Sequence, residues 1–168
     1  MQLRTAAGPD RPAGFTLVEL MVVVAIATIL FAVAVPSYIS YVRQSRRTEA
    51  RTAVLDLAGR EERYFSTNGA TYANTPANLG YAGAAFPVTV GSQYYQLAVC
   101  VPAAANCPPA NNLNMPNPPA APSYTVVATP VGTQTSDTQC GAFAVDSAGQ
   151  QYAVDSTGAQ NTAYCWAN

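Results

Sequence analysis

Residues 15–35 form an apolar run of twenty-one residues in which the only polar side chains are Thr16, Glu19 and Thr28. As a helix this run would be about 32 Å long, close to the thickness of the hydrocarbon core of a bilayer. A cleaved secretory signal has a shorter apolar core and small residues at its cleavage site. Because this run is longer than the apolar core of a cleaved signal, we expect it to remain in the mature chain as a membrane-spanning helix.

Charge is distributed unevenly along the 168-residue chain. All eight basic residues are arginines that precede Tyr64, and beyond that residue the only charged side chains are Asp137, Asp146 and Asp155. The second half is rich in Ala, Thr, Ser, Asn and Tyr, with many residues that favour strands. A neutral surface of this kind is typical of packing or display and argues against a nucleic-acid domain.

The sequence offers no catalytic group of the usual kind. It contains no histidine, which is the commonest general base and metal ligand, and no lysine. The adjacent Glu61 and Glu62 would point about 100° apart on a helix, so they cannot act as a carboxylate pair. We therefore predict a protein that is not an enzyme and that has no cofactor and no resident metal.

An ordered motif marks the start of the apolar run. The sequence GFTLVEL at residues 14–20, followed by MVVVAI, resembles the type III N-terminal methylation signal of the type IV pilin family. The resemblance implies that residues 1–14 are a leader, which a prepilin peptidase removes between Gly14 and Phe15. It further implies that Phe15 is then N-methylated and that Glu19 acts in subunit assembly.

The same resemblance implies an α+β type IV pilin fold, with one long N-terminal helix packed on a small antiparallel sheet. Residues 15–42 would form the hydrophobic half of that helix, in the membrane or in the filament core. Residues 43–67 would form its amphipathic half, and Pro36 would kink it, as a proline does in pilins. Residues 68–168 would form a β-domain in the periplasm or outside the cell, beginning with an αβ loop over residues 68–92.

Helical periodicity resumes after Pro36. Five residues share one face, which needs a sheet to cover it: Ala50, Val54, Leu57, Glu61 and Tyr64. Asp56 and Arg60 are spaced for an i,i+4 ion pair. Asn68-Gly69 predicts that the helix ends at about Thr67.

Four arginines cluster just beyond the apolar run: Arg43, Arg46, Arg47 and Arg51. Such a cluster invites a nucleic-acid interpretation, but no aromatic residue is interleaved with it to stack on bases. We favour a solvated helix face, and the alternatives are contacts with periplasmic headgroups or with neighbouring subunits. DNA is therefore a partner that the sequence allows but does not favour.

Four segments carry strand-forming residues: 94–101, 124–129, 141–145 and 151–154. Residues 102–122 are rich in Pro and Asn and are predicted to form a loop. Two turns of sequence Asp-Ser-x-Gly begin at Asp146 and Asp155. Calcium binding by these two acids is one interpretation, and we favour ordinary turns in which each Asp caps its own backbone.

The four cysteines favour disulfides in an oxidising compartment, because they follow an apolar N-terminal segment and form no Cys-x-x-Cys pair. The pilin resemblance implies a bridge between Cys140 and Cys165, closing the C-terminal region. We expect a second bridge between Cys100 and Cys107, which would fasten the base of the proline-rich loop and has no counterpart in the resemblance.

The function implied by the resemblance is that of a structural subunit of a type IV pilus. The composition after Arg63 and the ending from Cys140 to Trp166 are closer to PilE-type minor pilins than to major pilins. Such a subunit primes or joins the filament and supports twitching motility, adhesion or DNA uptake. The alternatives are a type II secretion pseudopilin and a tip pilin that binds DNA or another ligand.

The implied partners are other pilins, the prepilin peptidase and methyltransferase, and an inner-membrane assembly platform with a separate motor ATPase. The implied location is the inner membrane of a Gram-negative bacterium, with a single membrane pass and the C-terminal domain in the periplasm. After assembly the chain would be part of the extracellular pilus, or fimbrium.

Overall fold

The computed structural model describes residues 14–102 and 122–167. Within them lie two helices, five strands and two short 3-10 helices. In chain order these are α1 Leu17–Thr67, the 3-10 helix Ala77–Leu79, β1 Val88–Val90, β2 Tyr95–Cys100, β3 Thr125–Pro130, the 3-10 helix Gly132–Ser136, β4 Ala142–Asp146, β5 Gln151–Val154 and α2 Thr162–Ala167. The predicted leader residues 1–13, most of the predicted loop, and Cys107 lie outside the described residues.

The chain divides into two compact units, Met1–Ser40 and Tyr41–Asn168. The described part of the first unit is the N-terminal portion of α1. By length and composition α1 can cross a membrane, since an 18-residue window has a mean hydropathy of 2.8 and none of its residues is buried. α1 continues through Pro36 without interruption, and the kink at that residue stays a prediction.

The end of α1 agrees with the prediction from Asn68-Gly69. The helix ends at Thr67, Gly69 has a φ of 68°, and the Ala70 N–H donates to the Phe65 carbonyl. The predicted i,i+4 pair is also confirmed, with Arg60 Nε 2.8 Å from Asp56 Oδ2.

The second unit contains a five-stranded antiparallel sheet with strand order β1-β2-β3-β4-β5. The register aligns Leu97 of β2 with Ala128 of β3, and Ala128 with Phe143 of β4. The four predicted strands are confirmed to within one residue at each end. β1 corrects the prediction of an αβ loop over residues 68–92: Val88–Val90 form a strand there, and three residues are too few to show an alternating pattern.

The core lies between one face of the sheet and the second half of α1. Side chains alternate along β2, so that Leu97 and Val99 join the helix-facing core while Cys100 joins a smaller cluster on the opposite face. Ala50, Val54, Leu57 and Glu61 of the predicted helix face are all buried, and Tyr64 is half-buried.

A disulfide joins Cys140 to Cys165, as the pilin resemblance implied, with 5.8 Å between the Cα atoms. It connects the chain entering β4 to α2. Next to it Gly141 passes so close to β5 that a Cβ there would lie 2.6 Å from the Asp155 carbonyl oxygen. The Cys100–Cys107 pairing stays a prediction, because Cys107 is not among the described residues.

Candidate functional site

The first turn of α1 contains a reciprocal hydrogen-bonded pair. The backbone N–H and the hydroxyl of Thr16 both donate to Glu19 Oε2 at 3.3 Å, and the Glu19 N–H donates to Thr16 Oγ1 at 3.2 Å. This is a capping box, which satisfies N–H groups at the start of the helix. Glu19 therefore helps to begin the helix, a role that its spacing from Thr16 could have indicated.

The arginine cluster holds α1 against the rest of the second unit, and the predicted solvated face is wrong for Arg47. That side chain is buried, with Nε 2.7 Å from Asp137 Oδ2 and Nη2 2.8 Å from Oδ1. The hydrogen bond to Asp137 raises the pKa of Arg47 further above its ordinary value. A bidentate pair of this kind fixes both partners in orientation.

Asp137 also organises the residues around it. Its carboxylate accepts hydrogen bonds from Gln134 Nε2 and from the backbone N–H groups of Gln139 and Cys140. Gln134 donates in addition to the Tyr95 hydroxyl. The ion pair is thus at the centre of a network that joins α1, β2 and the segment leading into the disulfide.

The other three arginines of the cluster, Arg43, Arg46 and Arg51, form what we call the arginine surface. Arg43 Nη2 donates to Ser136 Oγ at 3.1 Å, and Arg46 Nη1 donates to Thr133 Oγ1 at 3.2 Å. Each of the three is half-buried. They lie against the 3-10 helix Gly132–Ser136 and against α2.

An aromatic ring lies against one of these arginines, although the two residues are far apart in the sequence. The Arg46 guanidinium lies over the Tyr94 ring, 3.5 Å from its centroid. Arg51 Nη1 donates to the Trp166 carbonyl at 2.8 Å, and in the same short helix the centroid of the Tyr164 ring lies 5.3 Å from the guanidinium carbon of Arg47. Tyr94 is thus an aromatic partner of Arg46 that the sequence spacing does not reveal.

Glu61 is a fully buried carboxyl group on the helix face that packs on the sheet. Its Oε2 accepts a hydrogen bond from the Ala73 N–H at 2.9 Å, and its Oε1 has no hydrogen-bond partner. Burial raises the pKa of Glu61 to about 7, although the bond from Ala73 acts in the opposite direction. The helix thus contains a carboxyl group that is largely protonated below neutral pH.

We expect Glu61 to make stability depend on pH. Between pH 4.5 and 7 the unfolded chain loses the Glu61 proton while the folded chain keeps it, so the free energy of unfolding falls as the pH rises. As the pH rises over that interval, the free energy of unfolding of Glu61→Gln should increase by on the order of 2 kcal/mol relative to that of the wild type. Denaturant unfolding followed by circular dichroism at both ends of the interval measures this difference. Glu62→Gln, at the exposed neighbour, is the matched control, and equal pH dependence in wild type and Glu61→Gln would refute the prediction.

The two Asp-Ser-x-Gly turns behave as predicted. Asp146 Oδ1 accepts from the N–H groups of Ala148 and Gln150, and Asp155 Oδ1 accepts from that of Thr157 at 2.7 Å. Hydrogen bonds from Thr157 lower the pKa of Asp155. Each carboxylate is therefore engaged with its own turn.

Comparison with known proteins assigns the chain to a family. A family model described as type IV minor pilin ComP, DNA uptake sequence receptor, matches residues 36–144. The chain belongs to this pilin family. A model of the prokaryotic N-terminal methylation motif matches residues 10–35, which contain the sequence GFTLVEL.

Curated relatives of the pilin are filament proteins. It is 39% identical over 93 residues to the fimbrial protein EcpC of Eikenella corrodens, covering 55% of this chain and 57% of that one. It is 36% identical over 80 residues to the type IV major pilin protein PilA of Myxococcus xanthus, covering 48% and 36%. The matched segments thus span less than two thirds of the length of these relatives.

A solved type IV pilin structure from Shewanella oneidensis shares 22% sequence identity with this pilin, with a TM-score of 0.39. The match covers 65% of this chain and 89% of the other. The family match and the fimbrial relatives make this pilin a structural protein and not an enzyme. Its long N-terminal helix and antiparallel sheet are the α+β architecture that the sequence predicted.

Proposed function

We propose that this pilin is a minor subunit of a type IV pilus that takes up DNA. The observation that carries the proposal is the family match over residues 36–144, since the family is described as the type IV minor pilin ComP, a DNA uptake sequence receptor. The arginine surface supports it, because it places three positive charges within nine residues of α1. Because one relative is named as a major pilin, the test must also measure how abundant this pilin is in the filament.

In this proposal prepilin peptidase cleaves between Gly14 and Phe15, Phe15 is N-methylated, and residues 15–42 anchor the chain in the inner membrane. The β-domain lies in the periplasm until the assembly platform and its motor ATPase draw the subunit into the filament. The Cys140–Cys165 disulfide supports this orientation, because disulfides persist in oxidising compartments and not in the cytosol.

Glu19 is proposed to direct assembly. A charged carboxylate in hydrocarbon costs a few kcal/mol, so it gains from a partner of opposite charge. Cleavage before Phe15 creates an ammonium group that the precursor lacks, and the ammonium of one subunit would pair with Glu19 of its neighbour. The apolar helices would at the same time exchange lipid contacts for contacts with one another.

Deletion of the gene in its native strain tests the role in DNA uptake. We expect DNase-protected uptake of labelled DNA to fall at least tenfold and to return on complementation, while filaments remain visible by electron microscopy. Quantitative mass spectrometry of sheared wild-type filaments should find this pilin as a small fraction of the subunits. Unchanged uptake would refute the role, whereas loss of all filaments together with a large fraction of this pilin in wild-type filaments would identify a major pilin instead.

A further inference from the structure

Two rows of residues lie on the outer face of α1, which points away from the sheet. Within each row the residues are four positions apart, so they are neighbours on one side of the helix. The proximal row is Tyr41, Ser45 and Glu49, and the distal row is Leu55, Gly59 and Arg63. Five of the six residues are exposed and Glu49 is half-buried, so both rows are accessible to a partner.

Three residues of these rows are not part of the core of their own chain. Tyr41 is 71% exposed and Leu55 is 47% exposed, although both have large apolar side chains. Gly59 lies inside α1, where glycine is a poor helix former. Apart from the adjoining helix backbone, no described atom lies within 4 Å of the position that a Cβ would take at this residue. Because its own fold does not require a glycine there, the close approach that glycine permits is available to a partner.

The two rows also carry opposite charges. Glu49 lines a groove of about 870 Å³, to which Tyr81 also contributes. Its Oε1 accepts a hydrogen bond from the Ser92 N–H, which orients the carboxylate without neutralising it. In the described part of the chain, no cation lies within ion-pair distance of Glu49, and no carboxylate lies within that distance of Arg63. Each row therefore ends in a charge whose counter-charge can come from a partner.

One axial shift matches all three positions of the two rows. Glu49 and Arg63 are 14 positions apart in the sequence, which is about four helical turns and about 21 Å along α1. A second α1 that lies parallel to the first and is displaced by that distance brings its distal row beside the proximal row of the first. The facing pairs are then Glu49 with Arg63, Ser45 with Gly59, and Tyr41 with Leu55. An acid meets a base, a small side chain meets a glycine, and an aromatic ring meets an aliphatic side chain.

We infer that a second copy of this pilin packs on the outer face of α1, shifted by 14 residues along the helix. The inference rests on the proposed role as a pilus subunit, and it names a contact between subunits outside the membrane. Copies that are anchored by the same N-terminal helix lie parallel, as this contact requires. Because the shift repeats with each added copy, the contact is heterologous and open, and two copies are enough to begin it.

Disulfide crosslinking in the native strain tests the shift. Two copies with different epitope tags would be co-expressed, one with Glu49→Cys and the other with Arg63→Cys. A disulfide requires Cβ atoms about 4 Å apart, so we expect a linked pair that carries both tags. Thr52→Cys with Arg63→Cys, displaced by about 4.5 Å along α1, is the matched control and should link at least fivefold less. Absence of a pair with both tags, or equal linkage in the control, would overturn the inference.

Charge reversal tests the pairing of the two rows. Glu49→Arg or Arg63→Glu alone should reduce incorporation into sheared filaments at least fivefold, because each change places like charges opposite one another. Both changes in the same chain restore the complementarity between copies, so incorporation should return to within twofold of the wild type. A double variant that is incorporated no better than the single variants would overturn the inference, and a contact with a different pilin would give that result.

Gly59→Leu separates packing between copies from folding. Leucine favours a helix more than glycine does and meets open space in its own chain, so the variant should unfold at no lower denaturant concentration than the wild type. Between copies the leucine fills the space opposite Ser45, so linkage of the Glu49→Cys and Arg63→Cys copies should fall at least fivefold. Unchanged linkage would contradict the close approach at Gly59 and overturn the inference.

These experiments distinguish failure of the contact from failure of the proposed function. If the Glu49→Cys and Arg63→Cys copies do not link and the gene deletion still abolishes uptake, the contact is wrong and the role in uptake stands. If they link and the deletion leaves uptake unchanged, the contact stands and the role in uptake is wrong.

Discussion

Asp137→Ala is expected to lower the free energy of unfolding by about 3–5 kcal/mol, because it leaves the buried Arg47 guanidinium without a counter-charge. The change also removes the acceptor for Gln134 and for the N–H groups of Gln139 and Cys140. Since domains are stable by roughly 5–15 kcal/mol, the variant should lose a large part of its stability. Denaturant unfolding of the full chain in detergent, followed by circular dichroism, measures the change.

Asp56→Ala is the matched control, since Asp56 is paired with Arg60 on the exposed side of the same helix. An exposed pair contributes about 0–1 kcal/mol, so this variant should unfold close to the wild type. Replacing both buried partners, in Arg47→Met with Asp137→Leu, should recover part of the loss because no buried charge is left unpaired. A loss for Asp137→Ala no larger than that for Asp56→Ala would contradict the structural role of the pair.

Glu19→Ala should be processed normally and should enter filaments at least tenfold less than the wild type. The physical reason is the proposed pairing of the Glu19 carboxylate with the Phe15 ammonium of a neighbouring subunit. Processing is read from the size of the membrane-bound chain, and incorporation from quantitative immunoblots of sheared filaments.

The capping box supplies two variants that separate charge from helix initiation. Glu19→Gln keeps a side chain that can complete the capping box but removes the charge, so it should fail to assemble as Glu19→Ala does. Thr16→Ala removes the hydroxyl and keeps the charge, so it should assemble well above the level of Glu19→Ala. Normal incorporation of Glu19→Gln would show that the carboxylate acts only within its own helix.

The sequence predicted those parts of the structure that depend on local pattern. Three local signals predicted α1: the apolar run, the periodic face from Ala50 to Glu61, and the helix end indicated by Asn68-Gly69. Runs of four or more residues rich in strand formers predicted β2 to β5. The three residues of β1 and the six of α2 were too short for either period to emerge.

The contacts made by the arginine cluster and by Glu61 could not be found in this way. Arg47 and Asp137 are 90 positions apart, and an arginine on a helix normally predicts a solvated face. Tyr94 reaches Arg46 only because a hairpin turn brings the start of β2 back beside α1. Glu61 lay on the predicted buried face, but its burial and its raised pKa depend on the packing around Ala73.

The most direct test of the central claim is the mass of the N-terminal peptide from purified filaments that contain this pilin. The assembly proposal requires that Phe15 carry the terminal amine with which Glu19 pairs. We predict that the peptide begins at Phe15 and carries one N-methyl group. A peptide that begins at Met1, or at any residue other than Phe15, would contradict it.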